Sequence, residues 1–162
     1  MRYAPLVEAE EFDEAAFFQA LARAGIRYLL IGRRAIAALG APVLTADYDL
    51  WIELDDTAKL NEAARPFDLA PTCTAAEAQR HGRYVLEGPE HIDVMVARAK
   101  STAEGVSLSF TDAYARRTET NAYGTPVPIP SIDDLILTKR WALRPKDVLD
   151  INFLDSLKKV TR

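Results

Sequence analysis

Residues 26–54 read IRYLLIGRRAIAALGAPVLTADYDLWIEL, and the order of parts within this stretch decides the fold. Arg27 to Ile31 (RYLLI) is an apolar run of strand length, closed by Gly32. The alanine-rich RRAIAALG that follows predicts one or two helical turns ending at Gly40, and Pro42 then interrupts the chain. Asp47 to Leu54 (DYDLWIEL) alternates with period two: Tyr48, Leu50, Ile52 and Leu54 fall on one face, Asp47, Asp49, Trp51 and Glu53 on the other. The result is strand, glycine, short helix, strand, with an Asp-x-Asp pair on the second strand. A spacing of two places both carboxylates on the same face, about 7 Å apart along the chain.

Working outward, residues 8–24 predict a helix with Phe12, Ala16, Leu21 and Ala24 near one stripe, ended by Gly25. Residues 55–65 open with aspartate caps and predict a helix that stops before Pro66, and residues 74–81 a shorter one. Arg83–Glu87 and His91–Ala97, separated by Gly88 and Pro89, predict a β-hairpin with Ile92, Val94 and Val96 on one face and His91, Asp93 and Met95 on the other. The stretch 101–130 shows a short helix around Asp112–Arg117 and a proline-marked extended segment near 125–130. Ser131 caps a helix running to about Leu143, with Asp133 and Asp134 in its first turn, and Pro145 begins another. The expected architecture is α+β, a small mixed sheet flanked by helices with a C-terminal helical pair. It fills residues 1–162 as a single domain: an N-terminal helix over 1–25, a sheet core over 26–100 and C-terminal helices over 131–160.

Composition narrows the function classes. With 162 residues, 49% hydrophobic and 27% charged, one domain with one core is expected. The 20 Lys+Arg against 24 Asp+Glu leave a net charge of −4, which excludes coating of nucleic acid by bulk positive charge and leaves that task to a local basic patch. Cys73 is the sole cysteine, so a disulfide framework or cysteine-based zinc site is excluded, and a reducing, cytoplasmic compartment is the natural expectation. The acidic N-terminus does not read as a signal peptide, and no run approaches the roughly 18 apolar residues of a membrane span. The chain lacks G-x-x-x-x-G-K-[ST], G-x-G-x-x-G and G-x-S-x-G.

The chemistry concentrates on three aspartates. Mg²⁺ takes one or two protein carboxylates and fills its remaining positions with water and phosphate oxygens, so Asp47 and Asp49 are candidate ligands. Asp93 is the best placed third carboxylate. Mid-strand aspartate is disfavoured, and if buried it calls for a cation or hydrogen bonds. Isolated Asp-x-Asp pairs are commonly solvated strand faces; the order of elements is what raises this one.

These segments, together with HIDVMVA and PVPIPSIDDLILTKRWALRPKDVLDINFL, resemble the minimal nucleotidyltransferases of the polymerase-β-like superfamily, particularly the branch related to AbiEii-like toxins. The resemblance runs in order over residues 26–157. It implies Mg²⁺-dependent transfer of a nucleoside monophosphate from an NTP to an acceptor: an RNA 3′ end, a protein hydroxyl or a small molecule. It also implies Asp47, Asp49 and Asp93 as catalytic metal ligands, one or two Mg²⁺ ions, and a possible toxin or antitoxin partner. The tail pattern of a lysine followed by R-x-K-D appears as Lys139 and Arg144-Pro145-Lys146-Asp147, and it marks Lys139 and Lys146 as phosphate contacts.

One departure stands out. The family's turn carries Gly followed by Gly or Ser, where phosphates approach the backbone; here it is Gly32-Arg33-Arg34. Two arginines at a helix start oppose the macrodipole unless an anion lies nearby. That anion is either a nucleotide phosphate, making Arg33 and Arg34 binding residues, or the Asp pair itself, making the protein a catalytically inactive nucleotidyltransferase-like binder; surface exposure of at least one of the two arginines is the third reading. Lys139 lies on the row of Ile132, Leu135, Ile136 and Leu143, so it either snorkels outward or meets an anion. His91 reads as structural or as a neighbour of the metal site, Trp51 as core or as a base-stacking platform, and Asp147 and Asp150 as salt-bridge partners of nearby lysines or arginines.

Overall fold

A computed structural model describes residues 12–44 and 47–160. Helix α1 (Glu14–Arg23) starts where the Asp13 carboxylate accepts from the Ala16 N–H, and it ends ahead of Gly25, whose φ of +68° turns the chain. The part of the expected N-terminal helix before Phe12 lies outside the described residues. Strand β1 (Tyr28–Ile31), helix α2 (Gly32–Ala38) and strand β2 (Tyr48–Ile52) follow in the expected order. A 3₁₀ turn (Leu54–Asp56) leads into α3 (Thr57–Ala64), and a short β3 (Ala70–Pro71) precedes α4 (Ala75–His81). A capping box between Thr74 and Glu77 fixes the start of α4. The expected aspartate cap of α3 is absent. Asp56 instead accepts from the Arg27 backbone N–H and guanidinium at 2.9 and 3.0 Å, tying the start of β1 to the turn after β2.

The hairpin is formed by β4 (Arg83–Glu87) and β5 (His91–Met95). The central sheet has the order β1-β2-β5-β4-β3, parallel between β2 and β5 and antiparallel elsewhere. Two ribbons follow: β6 (Ala99–Ser101) with β7 (Ser107–Ser109), which escapes the sequence reading, and β8 (Thr118–Thr120) with β9 (Val127–Ile129), of which β9 is the extended, proline-marked segment expected near 125–130. Between them lies α5 (Phe110–Ala115), capped by Ser109. Helix α6 (Ile132–Lys139) is capped by Ser131 as expected but ends four residues early. Its tail gives way to a turn in which Leu143 takes φ +46°, and α7 (Pro145–Val160) follows. The mixed sheet with flanking helices and a terminal helical pair is the α+β architecture the sequence implies.

Strand alternation divides the core. Tyr28, Leu30, Tyr48, Leu50, Ile52, Ile92, Val94, Tyr84 and Leu86 face the larger layer, packed with Phe17, Phe18 and Leu21 of α1 and Leu60 of α3. The other face carries Leu29, Ile31 and Trp51, covered by Leu108, Phe110 and Ala113, with Trp141 against the edge. Trp51 is fully buried, stacks edge-on to Phe110 and Trp141, and donates its indole N–H to the Ala97 carbonyl at 2.8 Å. It is a core residue, with no face left for a base. On the β5–β4 side the same face has no such cover, and this leaves an open cleft.

Candidate active site

The parallel pairing of β2 with β5 sets Asp49 opposite Asp93 in register, so two carboxylates stand side by side on the uncovered face. Antiparallel pairing of β1 with β2 sets Ile31 opposite Asp49, and the chain turns at the next residue. Gly32 has φ +71°, and a Cβ built there would stand 2.3 Å from Asp49 Oδ2. Glycine is required twice over, by the left-handed backbone and by the carboxylate pressed against it. The Asp49 carboxyl is pushed above the usual carboxylate range, first by burial, then by the negative charge of Asp93, with a smaller push from Asp47; Lys139 and Arg144 pull the other way. Asp47 is exposed just before β2 and lines the same cleft. His91 Nε2 lies 3.4 Å from Asp93 Oδ1, and its Nδ1 lies 3.6 Å from Glu87.

The opposite wall comes from the α6–α7 junction. Lys139, 6% exposed, is buried with Leu135 and Ile136 of the apolar row: it does not snorkel but sets its ammonium 2.9 Å from Asp150 and 3.6 Å from Asp147. Asp147 also accepts from the Arg144 backbone N–H at 2.8 Å and from its guanidinium at 3.1 Å. Arg33 reaches the same group, with Nε 3.5 Å from Asp150. Arg33, Lys139 and Arg144 thus share two buried carboxylates, a network that fixes where the cations stand. Asp147 Oδ1 has no hydrogen-bond partner among the described residues. Gly32, Arg33, Lys139, Arg144 and Lys146 line a cleft of about 390 Å³ together with the three aspartates.

Arg34 is not brought into the cleft. Its guanidinium lies 3.6 Å above the Tyr48 ring, and its Nε donates to the Asp47 carbonyl at 3.0 Å. Tyr48 points to the larger core layer, so Arg34 is on the far side of the sheet from Asp49. Arg33 and Arg34 were one residue apart on the same short helix, and the turn of roughly 100° per residue separates them. Neither Asp49 nor Asp93 has an ion pair with an arginine among the described residues. With Asp49 paired to no arginine among the described residues, the reading in which Arg33 or Arg34 neutralises the Asp47–Asp49 pair is not favoured.

Among the described residues, no three acidic, histidine or cysteine side chains are drawn together closely enough to hold an ion unaided. Mutual repulsion of uncompensated carboxylates favours such spacing. An all-oxygen donor set of few carboxylates, open to the cleft, fits Mg²⁺ completed by phosphate oxygens rather than a closed protein cage.

Three cleft residues escape the sequence reading. Arg83 is set opposite Met95 by the hairpin register, a placement that the predicted hairpin already contained. Lys100 sits on β6 and Trp141 in the α6–α7 turn, and neither element end was legible.

No family model and no curated protein sequence matches the chain. Solved structures do. The lincomycin-bound lincosamide antibiotic adenylyltransferase LnuA superposes with a TM-score of 0.61 at 18% identity, covering 91% of this chain and 99% of that one. The fold is that of the nucleotidyltransferases. The antibiotic-resistance factor ANT(2″)-Ia, solved with adenylyl-2″-tobramycin, gives a TM-score of 0.58 at 15% identity over 88% of this chain and 85% of that one. An antigenic nucleotidyltransferase-like protein from Paracoccidioides brasiliensis gives 0.53 at 19% identity over 92% and 77%. No helix among the described residues is long and apolar enough to cross a membrane.

Proposed function

We propose that this chain is a Mg²⁺-dependent nucleotidyltransferase that moves a nucleoside monophosphate from an NTP to an acceptor hydroxyl. The observation that carries the reading is the facing Asp49–Asp93 pair beneath a glycine turn where an added Cβ would displace the Asp49 carboxylate, in a cleft whose other wall holds a buried, oriented lysine. Asp47, Asp49 and Asp93 would hold one or two Mg²⁺ ions. When bound, these ions offset the carboxylate charge and stabilise the charge that develops on phosphoryl oxygens.

The chain's own residues supply position and field. Gly32 lets phosphates come close to the backbone at the start of α2, and Arg33 and Lys139 neutralise them, with Lys146 at the cleft mouth. Asp150 holds Arg33 and Lys139 on that side, so their donors need little reorganisation when a triphosphate arrives. Arg34 braces the turn through Tyr48 and the Asp47 carbonyl instead of touching phosphate. The acceptor oxygen bonds to the α-phosphorus, the α–β bridging P–O bond breaks and pyrophosphate leaves. The acceptor proton passes to Asp93, which the His91 contact at 3.4 Å keeps oriented.

The acceptor classes are an RNA 3′ end, a protein hydroxyl or a small molecule; LnuA and ANT(2″)-Ia act on antibiotics. A role as one half of a toxin–antitoxin pair in the cytoplasm rests on the resemblance to AbiEii-like proteins, and growth arrest on expression, relieved by a neighbouring gene, tests it. For the reaction itself, the protein is incubated with each α-³²P-labelled NTP, Mg²⁺ and a cell lysate. Label should enter an acceptor with the wild type and not with Asp49→Asn or with EDTA. Equal labelling by Asp49→Asn would refute the assignment.

A further inference from the structure

The cleft holds two groups of cations that differ in one respect. Arg33, Lys139 and Arg144, on the Gly32 and α6–α7 side, are held by the buried Asp147 and Asp150. Arg83 and Lys100, beyond the aspartates, and Lys146 at the start of α7 line the same cleft and have no carboxylate within ion-pair distance among the described residues; Arg83 and Lys100 are the two that stand away from the Gly32 turn. In a chain with 24 acidic residues for 20 basic ones, three cations without an ion pair in one cleft are against the charge balance.

Their position follows from the ladders. Arg83 pairs with Met95, and Met95 with Trp51, which is one row beyond Asp93 and Asp49. Two residues of strand separate the rows, about 7 Å. The Lys100 ammonium lies 5.4 Å from the centre of the Trp141 ring, which packs on Trp51 at that same row. The Trp141 indole N–H, buried in the cleft wall, has no acceptor among the described residues. Three donors without acceptors therefore gather one row past Asp93, away from the glycine turn.

We propose that this end of the cleft selects an acceptor carrying a phosphate next to its reacting hydroxyl, with Arg83 and Lys100 binding that phosphate. The proposal rests on the nucleotidyl-transfer reading, and it gives that reading its acceptor class. Ammonium and guanidinium groups bind phosphate by charge and hydrogen bonds. They disfavour a polyamine such as tobramycin, which would set like charge against like. The cleft is thus specialised away from the ligand chemistry of ANT(2″)-Ia, which was solved in complex with adenylyl-2″-tobramycin.

The test measures binding by calorimetry, with the full chain, Mg²⁺ and a non-hydrolysable NTP. The probes are a pentaribonucleotide with a free 3′-hydroxyl, glucose 6-phosphate, lincomycin and tobramycin. The wild type should bind at least one phosphate-bearing probe more tightly than either antibiotic, and the pentanucleotide-to-glucose-phosphate ratio tells a polynucleotide from a small phosphorylated acceptor. Arg83→Gln/Lys100→Gln should weaken that probe at least tenfold and flatten the dependence of log affinity on log salt by about one unit or more. Both side chains are exposed, so the fold should persist, and Mg²⁺–NTP affinity measured alongside should stay within twofold. Equal binding of the phosphate probe by the double variant, tighter binding of an antibiotic, or no binding of any probe overturns the proposal. Failure of Mg²⁺–NTP to bind the wild type overturns the transfer reading instead, and the two outcomes are read from separate titrations.

Discussion

Replacing Gly32 with alanine puts a methyl group where the Asp49 carboxylate lies. The added Cβ would stand 2.3 Å from Oδ2, 3.0 Å from Cγ and 3.1 Å from Cβ of Asp49. The oxygen is the end of a rotatable side chain and can swing away, but the Cγ and Cβ contacts also require the strand to yield by tenths of an ångström. The left-handed φ of +71° adds a conformational penalty of about 1–2 kcal/mol. Gly25 makes the control: its φ is +68°, and an added Cβ meets nothing within 4 Å. Gly25→Ala should lose about 1–2 kcal/mol in urea unfolding and keep full Mg²⁺–NTP binding and transfer. Gly32→Ala should lose somewhat more stability and, because a displacement near 1 Å costs about 10²-fold in rate, about that factor in transfer. If Gly32→Ala transfers label as fast as Gly25→Ala, the glycine turn does not set the position of Asp49, and the reasoning fails.

Other perturbations separate structure from chemistry. Lys139→Met leaves buried Asp150 with only the longer Arg33 contact and Asp147 with Arg144, and should destabilise the fold by about 3 kcal/mol, whereas Lys139→Met/Asp150→Leu should recover part of that, both read by urea midpoints. Asp49→Asn relieves a carboxylate that burial and Asp93 disfavour, so it should raise the Tm of the metal-free protein while abolishing transfer. Asp56 shows the opposite sign: burial would raise its pKa, but the Arg27 side chain and backbone N–H outweigh burial and hold it below the usual range. Its stabilisation is complete above the unfolded carboxylate pKa of about 4 and is lost as pH falls through its lower folded value. Unfolding midpoints measured from pH 6 down to 2 should therefore drop below pH 4, and Arg27→Met should flatten that drop. Trp51→Ala empties the second core and should cost about 3–5 kcal/mol, with loss of the Ala97 hydrogen bond included.

The sheet was legible because alternation survives burial on both faces. Tyr48, Leu50 and Ile52 name one face, Asp49 and Trp51 the other, and the hairpin pattern of 83–97 supplies the second site strand. The facing of Asp49 and Asp93 is a matter of pairing register, which no local pattern encodes. The ribbons β6–β7 and β8–β9 have three residues per strand, too short to show a period; β6, β7 and β8 are mostly exposed, while Val127 and Ile129 of β9 are buried. The α6 end was misplaced because Leu143 continues its apolar row, although Leu143 turns the chain with positive φ. Asp56 and Asp134 carry the signature of helix starts, yet both spend their carboxylates on distant arginines, Arg27 and Arg116. Arg33 and Arg34 look equivalent in sequence, and the rotation of α2 sends them to opposite sides of the sheet.

A crystal structure with Mg²⁺ and a non-hydrolysable NTP tests the central claim most directly. Metal density is expected at the Asp47, Asp49 and Asp93 carboxylates, with the triphosphate between the Gly32 turn and Lys139. A structure in which the guanidinium of Arg33 moves in between those aspartates, and metal and nucleotide are absent from the cleft, would contradict it.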